Sequence, residues 1–299
     1  MSPLLYQHPL AFLVGLEGVA LMRAFAGEHD EAFTRARLAE TKALLDDSAR
    51  WGEGVTLPAL SVADGYDAWA PRYDSPDNAI FAVEESVVWP LLDSLPPGDA
   101  LDVACGTGRH AGRLASLGHR VSGVDASPGM LEVARRNVPG VGFTLGDVHA
   151  LPVADASVDL VTYALALCHV EEMNPVFAEL ARVLRPGGHL VLSDSRGHFT
   201  GSALYPIVEE TLDGRVGYVP TWRHGTGDYV RAALATGLRI VACEEPVREP
   251  DRPGAYDPPE SVDVTEPPNL WALMPWVPEA TSAAYTGATA VIVWHLVRE

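Results

Sequence analysis

From Ala100 onwards, short apolar runs alternate with stretches whose apolar residues recur at helical spacing. "ALDVAC" reads as a strand, "GRHAGRLASLG" as a helix, "RVSGVD" as a strand, "PGMLEVARRNV" as a helix and "VGFTLGD" as a strand. "VDLVTYAL", the helix "NPVFAELARVL" and the strand "GHLVLSD" continue the series. Period two alternating with period 3.6 predicts a parallel sheet wrapped by helices on both faces.

The pattern changes on either side of this block. Residues 1–60 read as two helices, the first from Pro9 and stopping at Gly27, the second capped by Asp30 with Phe33, Ala36, Leu44 and Leu45 on its apolar face. "WGEGVTLPALSVADG" reads as a linker, and a helix follows over about 78–95, which Pro90 must kink or shorten. After Asp194 come a helix over about 202–212, a strand-like "RVGYVPTW", the helix "GDYVRAALATG" and the strand "LRIVACEEPV". The last strand, "TGATAVIVWHLV", is separated from its predecessor by a Pro-rich excursion with no clear crossover helix. An antiparallel pairing of these two strands is therefore predicted. The expected fold is α/β: a doubly wound, Rossmann-like, mostly parallel sheet with an antiparallel final strand, plus N-terminal helices. The expected division is an N-terminal helical extension over 1–60 and one domain over 61–299, with 250–285 inserted as a Pro-rich loop.

Charge narrows the partners. A formal net charge of −19 repels polyanions, and no Lys/Arg-rich run offsets it locally, so no nucleic-acid partner is expected. Cys105, Cys168 and Cys243 lie far apart without metal-ligand spacing, so neither a disulfide framework nor a metal site is expected. The apolar run Leu10 to Met22 contains Glu17 and is too short to span a bilayer, which predicts no membrane association and a soluble cytoplasmic protein.

The chemistry starts at Gly106-Thr107-Gly108-Arg109-His110-Ala111, a G-x-G-x-x-A turn between a strand and a helix. Glycines let backbone pass close to a ligand, and the free N–H groups of a helix start attract an anionic group. Asp125 ends the second strand, close to the offset at which a carboxylate accepts from ribose hydroxyls. Loop and acid together point to an adenosine-containing ligand. Asp102, inside the first strand, would repel a pyrophosphate but welcome an ammonium. Asp147, after the third strand, can accept from an adenine amino group. Adenine, ribose, carboxylate and ammonium together describe S-adenosylmethionine.

The segments "LDVACGTGRH", "GVDASPGML", "GDVHALPVADASVDLV" and "ARVLRPGGHLVLSD" occur in an order and spacing that resemble the successive motifs of class I S-adenosylmethionine-dependent methyltransferases, in the branch with small-molecule and natural-product enzymes. The resemblance covers about 66–194. It implies that Gly106 and Gly108 approach the methionine portion, that Asp125 and the adjoining Ala126 hold the ribose, and that Met130 packs on adenine. It further implies that Asp147 and Val148 flank the adenine and that Ala164 lines the methionine side. "YDAWAPRYD" is similar to the segment that folds over the cofactor, which nominates Tyr66 and Tyr73. Ala104 stands where the family commonly has glycine.

Methyl transfer from a sulfonium is an in-line displacement, for which orientation supplies much of the catalysis. A hydroxyl acceptor also needs a base, and His169, just after the fourth strand, is the candidate. Asp194 ends the neighbouring fifth strand and could orient the imidazole. His198 and His224 lie in segments that could border an acceptor, although both residues are more often exposed in such loops. His110 is expected to face solvent or the cofactor mouth. The reading is methyl transfer to a small, partly apolar acceptor, at oxygen ahead of nitrogen or carbon. The rivals are a protein that holds the cofactor without transfer and a nicotinamide-dependent oxidoreductase. The N-terminal helices or the 250–285 segment, with Leu270, Trp271 and Trp276, could cover the acceptor or join two copies of the chain.

Overall fold

In the computed structural model, the residues described are 4–75, 78, 80–196, 207–247, 261, 263–264 and 266–299. They fall into two compact units. The larger comprises Leu60–Gly197, Ala203–Pro246 and Thr289–Glu299. Its strands are β1 (Asp99–Val103), β2 (Arg120–Asp125), β3 (Gly142–Leu145), β4 (Val158–Ala164), β5 (Leu184–Ser195), β6 (Ile207–Glu210), β7 (Val216–Val219), β8 (Leu238–Glu244) and β9 (Val291–Arg298). Its helices are α1 (Val62–Trp69), α2 (Ile80–Asp93), α3 (Arg109–Ser116), α4 (Pro128–Asn137), α5 (Met173–Val183) and α6 (Thr226–Ala235).

Seven strands form one sheet in the order β8-β9-β5-β4-β1-β2-β3. β1 pairs in parallel with both β2 and β4, so the chain leaves β1 first to one side and later to the other. That reversal opens a crevice at the carboxyl ends of β1 and β4. β9 runs antiparallel between β5 and β8, so the final strand has the antiparallel pairing expected of it. One sheet face packs Leu101, Val103, Val161 and Ile292 under Phe177 and Leu180 of α5 and Ala232 of α6. The other packs Ala100, Leu160 and Val293 under Val88 and Leu92 of α2 and Leu114 of α3. Both faces are covered, which is why the strands read as nearly continuous apolar runs.

The smaller unit joins Met1–Ala59 to Val247–Ala288. Its helices Pro9–Phe25 and Glu31–Asp46 pack Leu13, Leu16, Ala20 and Leu44 against Leu273, Met274, Val277, Ala280 and Ala284. Asp30 caps the second helix, accepting from the N–H of Phe33 at 2.8 Å.

Three sequence expectations need correction. The supposed linker contains the strand Val55–Pro58, paired with Leu4–Gln7, and the start of α1. The expected helix over 202–212 is instead strand β6 from Ile207, hairpinned with β7 outside the main sheet. The helix expected over about 78–95 is present as α2, with Pro90 inside it. The inserted loop is helical where described beyond Asn269: Leu270–Leu273 and Pro278–Tyr285 are helices, and Leu273, Met274 and Val277 lie in their own unit's core. No helix among the described residues is long and apolar enough to cross a membrane.

Candidate active site

The loops that follow β1, β2, β3 and β4 meet around a cavity of about 270 Å³, closed on one side by α1 and Tyr73. Nine of the sequence-predicted residues line it: Tyr66, Tyr73, Ala104, Gly106, Asp125, Ala126, Asp147, Val148 and Ala164; so does His169. Its walls are apolar where Val103, Val124, Leu165 and Val170 contribute, and acidic at two strand ends.

Asp125 is fixed by backbone. Its Oδ2 accepts from the Gly106 N–H and its Oδ1 from the Ser127 N–H, both at 2.8 Å. Each carboxylate oxygen retains a lone pair that can accept a further hydrogen bond. Burial holds the carboxyl above its ordinary range, and the same two N–H groups oppose that rise. Gly106 has φ +52°, and a Cβ built on it would meet only Tyr73, at 3.8 Å; the backbone lies open to the cavity there. Ala104 adopts φ +50° and Leu165 φ +54°, left-handed conformations that cost a non-glycine residue energy. Both stand just beyond strand ends and both line the cavity. Asp147 sits at the rim, its carboxyl lowered by the backbone and ring N–H groups of His149, at 2.9 and 2.8 Å.

Three predicted ligand residues lie elsewhere. Asp102 is buried beneath the glycine loop, where Oδ1 accepts from Thr162 at 2.7 Å and Oδ2 from the Ala111 N–H at 2.9 Å. It ties β1 to β4 and to the start of α3 and does not line the cavity. Gly108 caps α3 at φ +85°; a Cβ there would stand 3.1 Å from Val138 and 3.4 Å from Ala134. Close approach of α3 to α4 requires this glycine. The depression of about 500 Å³ that Gly108 does line does not include Asp125, and its acids Asp74 and Glu85 already accept from Thr107 and Arg109. Met130 is buried in α4, behind the Ser127 cap.

His169 is held differently from the expected carboxylate pairing. Its Nδ1 stands 2.9 Å from the carbonyl oxygen of Pro220 and its Nε2 2.8 Å from the Tyr66 hydroxyl. A carbonyl only accepts, so Nδ1 carries the hydrogen and Nε2 the lone pair of a neutral ring. Burial lowers the imidazole below its usual value, against the Pro220 carbonyl, and favours this neutral form. Asp194 does not reach the ring. Its Oδ1 accepts from the Cys168 and Ser195 N–H groups and its Oδ2 from the Tyr229 hydroxyl at 2.6 Å. Asp194 thus fixes the backbone beside His169, and burial keeps its carboxyl raised.

His224 is buried, not an exposed loop residue. Its Nε2 lies 2.8 Å from the Val170 carbonyl and 3.3 Å from that of Leu167, clasping the loop that carries His169. His110 faces neither solvent nor the cavity mouth; it is buried against Glu84 at 2.9 Å. His198 lies outside the described residues.

Sequence reasoning missed the Pro220 carbonyl, for which a backbone acceptor leaves no signal. It also missed His149, although an Asp two residues before a His is a readable local turn. Asp67 was missed as well: from α1 it accepts from Ser127 and, at 2.8 Å, from the Gly129 N–H, tying α1 to the start of α4.

A doubly wound sheet whose switch-point cavity is lined by a glycine turn and a strand-end carboxylate defines the class as a Rossmann-like α/β protein. Residues 101–192 match the family described as Methyltransferase domain. Among curated proteins it is similar to the demethylmenaquinone methyltransferase of Renibacterium salmoninarum, 38% identical over 44% of this chain and 58% of that one. The malonyl-[acyl-carrier protein] O-methyltransferase of Serratia marcescens is 34% identical over 46% of this chain and 54% of its own. An uncharacterized protein from a Streptomyces fradiae transposon is 44% identical over 37% of this chain and 34% of its own. The chain spans less than two thirds of the length of each of these relatives. Two solved structures share the fold. One is in the Haloferax volcanii complex of the Trm112 methyltransferase activator with a methyltransferase (TM-score 0.52, 22% identity, 79% of this chain, 98% of that). The other is the PH0226 protein of Pyrococcus horikoshii OT3 (TM-score 0.51, 21% identity, 77% and 96%).

Proposed function

We propose that the protein transfers a methyl group from S-adenosylmethionine to a hydroxyl oxygen of a small, partly apolar acceptor. The observation that carries this reading is the cavity itself. It combines a strand-end carboxylate pinned by two backbone N–H groups, an open glycine backbone and a neutral imidazole with its lone pair on Nε2. These residues fit the cofactor. Asp125 would accept from the ribose hydroxyls; Val124, Ala126, Val148 and Asp147 would bracket the adenine; Ala104, Gly106 and Ala164 would run beside the methionine portion. When bound, the cofactor supplies a methyl group already activated by the positive charge on its sulfur.

The chain's own residues then have two tasks. The aliphatic side chains of Val62, Leu165 and Val170, with the ring of Tyr66, exclude water and offer an apolar body a place to rest. His169 supplies a neutral base whose tautomer the Pro220 carbonyl sets. We assign the protein to the cytoplasm, where Cys105, Cys168 and Cys243 stay as thiols.

The test is the small molecule that the gently purified protein releases on denaturation, identified by mass spectrometry. S-adenosylmethionine or S-adenosylhomocysteine is expected. A nicotinamide dinucleotide would overturn the reading, and for an empty protein, failure of S-adenosylhomocysteine to raise the melting temperature would do the same.

A further inference from the structure

The lone pair of His169 that a base would use is occupied. Tyr66, from α1, lays its ring edge-on to the imidazole, with centroids 5.3 Å apart and planes at 81°, and its hydroxyl is 2.8 Å from Nε2. Because Nδ1–H is committed to Pro220, the direction of this bond is fixed: the phenol donates and Nε2 accepts. Tyr66 and His169 both line the cavity. The phenol oxygen keeps two lone pairs, which are the basic positions the pair leaves unspent.

Resting on the methyl-transfer reading above, we propose that Tyr66 and His169 act as one proton-accepting unit with Tyr66 as its cavity-facing end, and that the acceptor is a phenol- or enol-type hydroxyl rather than an alkyl alcohol. As the acceptor oxygen forms its bond to the methyl carbon, the carbon–sulfur bond breaks and its electron pair returns to sulfur, which becomes neutral. The acceptor's proton passes to the Tyr66 oxygen while the phenolic proton of Tyr66 passes to Nε2. His169 ends as an imidazolium bonded through Nδ1–H to Pro220, and Tyr66 is again a phenol.

The surroundings set the acceptor class. Among the described residues no carboxylate is hydrogen-bonded to His169; Asp194, on the adjoining strand, is spent on Cys168, Ser195 and Tyr229. Around Tyr66 stand Tyr73, Cys168, Asp125 and Asp194, which with burial hold its phenol well above the usual range, so it relays a proton without ionising first. Burial also weakens His169 as a base. To an imidazole, a phenol near 10 is a far closer match than a hydroxyl as weakly acidic as water, near 15.7. Acid and base work best when closely matched, which favours the more acidic hydroxyl. The rings of Tyr66 and Tyr73 and the aliphatic lining suit an apolar or aromatic body.

The test uses the full chain with S-adenosylmethionine and two probes, phenol and 4-nitrophenol, the second being far more acidic and in little need of a base. Tyr66→Phe and His169→Ala are each expected to lower phenol methylation by roughly 100-fold or more, and the double variant by no more than the worse single one. On 4-nitrophenol the losses are expected to shrink, and S-adenosylhomocysteine affinity to change less than about three-fold. In the cofactor-free protein, nitrogen-15 NMR is expected to find His169 protonated at Nδ1 and titrating at higher pH in Tyr66→Phe, because the donor that favours the neutral ring is gone. Phenol turnover that survives Tyr66→Phe but not His169→Ala, or a ring protonated at Nε2, would overturn the relay. A wild-type protein that binds S-adenosylhomocysteine but methylates neither probe would overturn the acceptor class and leave the cofactor reading standing. No binding of S-adenosylhomocysteine would instead remove the methyl-transfer reading on which the proposal rests.

Discussion

At the scale of single residues, backbone conformation decides what side-chain chemistry does not. Ala104 differs from the glycine usual at its position, and a reading by size finds alanine acceptable at a strand end. The structure gives the physical reason for the glycine: φ is +50°, a left-handed conformation that costs an L-residue about 1–2 kcal/mol. Ala104→Gly should recover part of this, raising stability by up to about 1 kcal/mol after glycine's own entropy cost, as measured by denaturant unfolding. A destabilised variant would show that the alanine methyl packs usefully. Asp102 illustrates the opposite limit of the sequence. Its acid is legible, but which face of β1 it occupies is not, because alternate strand residues point to opposite faces. It shares the face of Ala100, away from the Leu101 and Val103 packing, and serves Thr162 and Ala111. The lowered imidazole of His169 makes a further test. With the neutral ring as the base proposed above, turnover should persist as pH falls through 6.5 and decline only below it. An acid limb at or above 6.5 in kcat/KM would contradict this burial.

At the scale of elements, a buried acid joins three of them. Glu84 of α2 has no solvent exposure; its Oε1 meets His110 and accepts from Ser193 of β5, and its Oε2 accepts from Arg109 of α3. Burial alone would raise its carboxyl, but His110 and Arg109 outweigh it and pull it to about 2, against an ordinary 4.5. A depressed carboxyl contributes stability that is full above its unfolded value and is lost as pH falls towards its folded one. Stability should therefore drop between about pH 4.5 and 2, by roughly 3 kcal/mol from this group. Glu84→Gln, which leaves Arg109 with Glu85 as its carboxylate partner, should cost about 1.5–3 kcal/mol in urea unfolding; a cost below 1 would mean the cluster carries no stability. The sequence did not reveal Glu84, because an acid in an amphipathic helix reads as a solvent-facing residue. It did reveal β1 to β5, where period and glycine turns agree. It hid the helices within 270–285 because prolines mark loops on average. Here Pro278 and Pro275 occupy first-turn positions, where a missing N–H costs nothing.

At the scale of the whole molecule, the chain builds two cores, and only the larger was readable as a unit. The core of the smaller unit is assembled from segments more than two hundred residues apart, Leu13 and Leu16 with Ala280 and Ala284. Such pairing leaves no local pattern. Leu16→Ala should destabilise that unit by about 2–5 kcal/mol and raise hydrogen exchange in the helices Pro9–Phe25 and Pro278–Tyr285 together. Exchange rising in only one would show that they do not share a core. In the larger unit, the order of strands brings Gly106, Asp125, Ala164 and His169, from the carboxyl ends of β1, β2 and β4 and the segments that follow them, to one cavity. Sequence motifs named each of them, but their convergence follows from the reversal of strand order at β1 and β4. The measurement that tests this account most directly is a calorimetric titration of S-adenosylhomocysteine into the wild-type chain and into Asp125→Ala. One saturable site in the wild type, weakened roughly 100-fold or more in the variant, is the expected result, since two charge-assisted hydrogen bonds to the ribose would be lost. No binding by the wild type, or an unchanged Kd in Asp125→Ala, would contradict it.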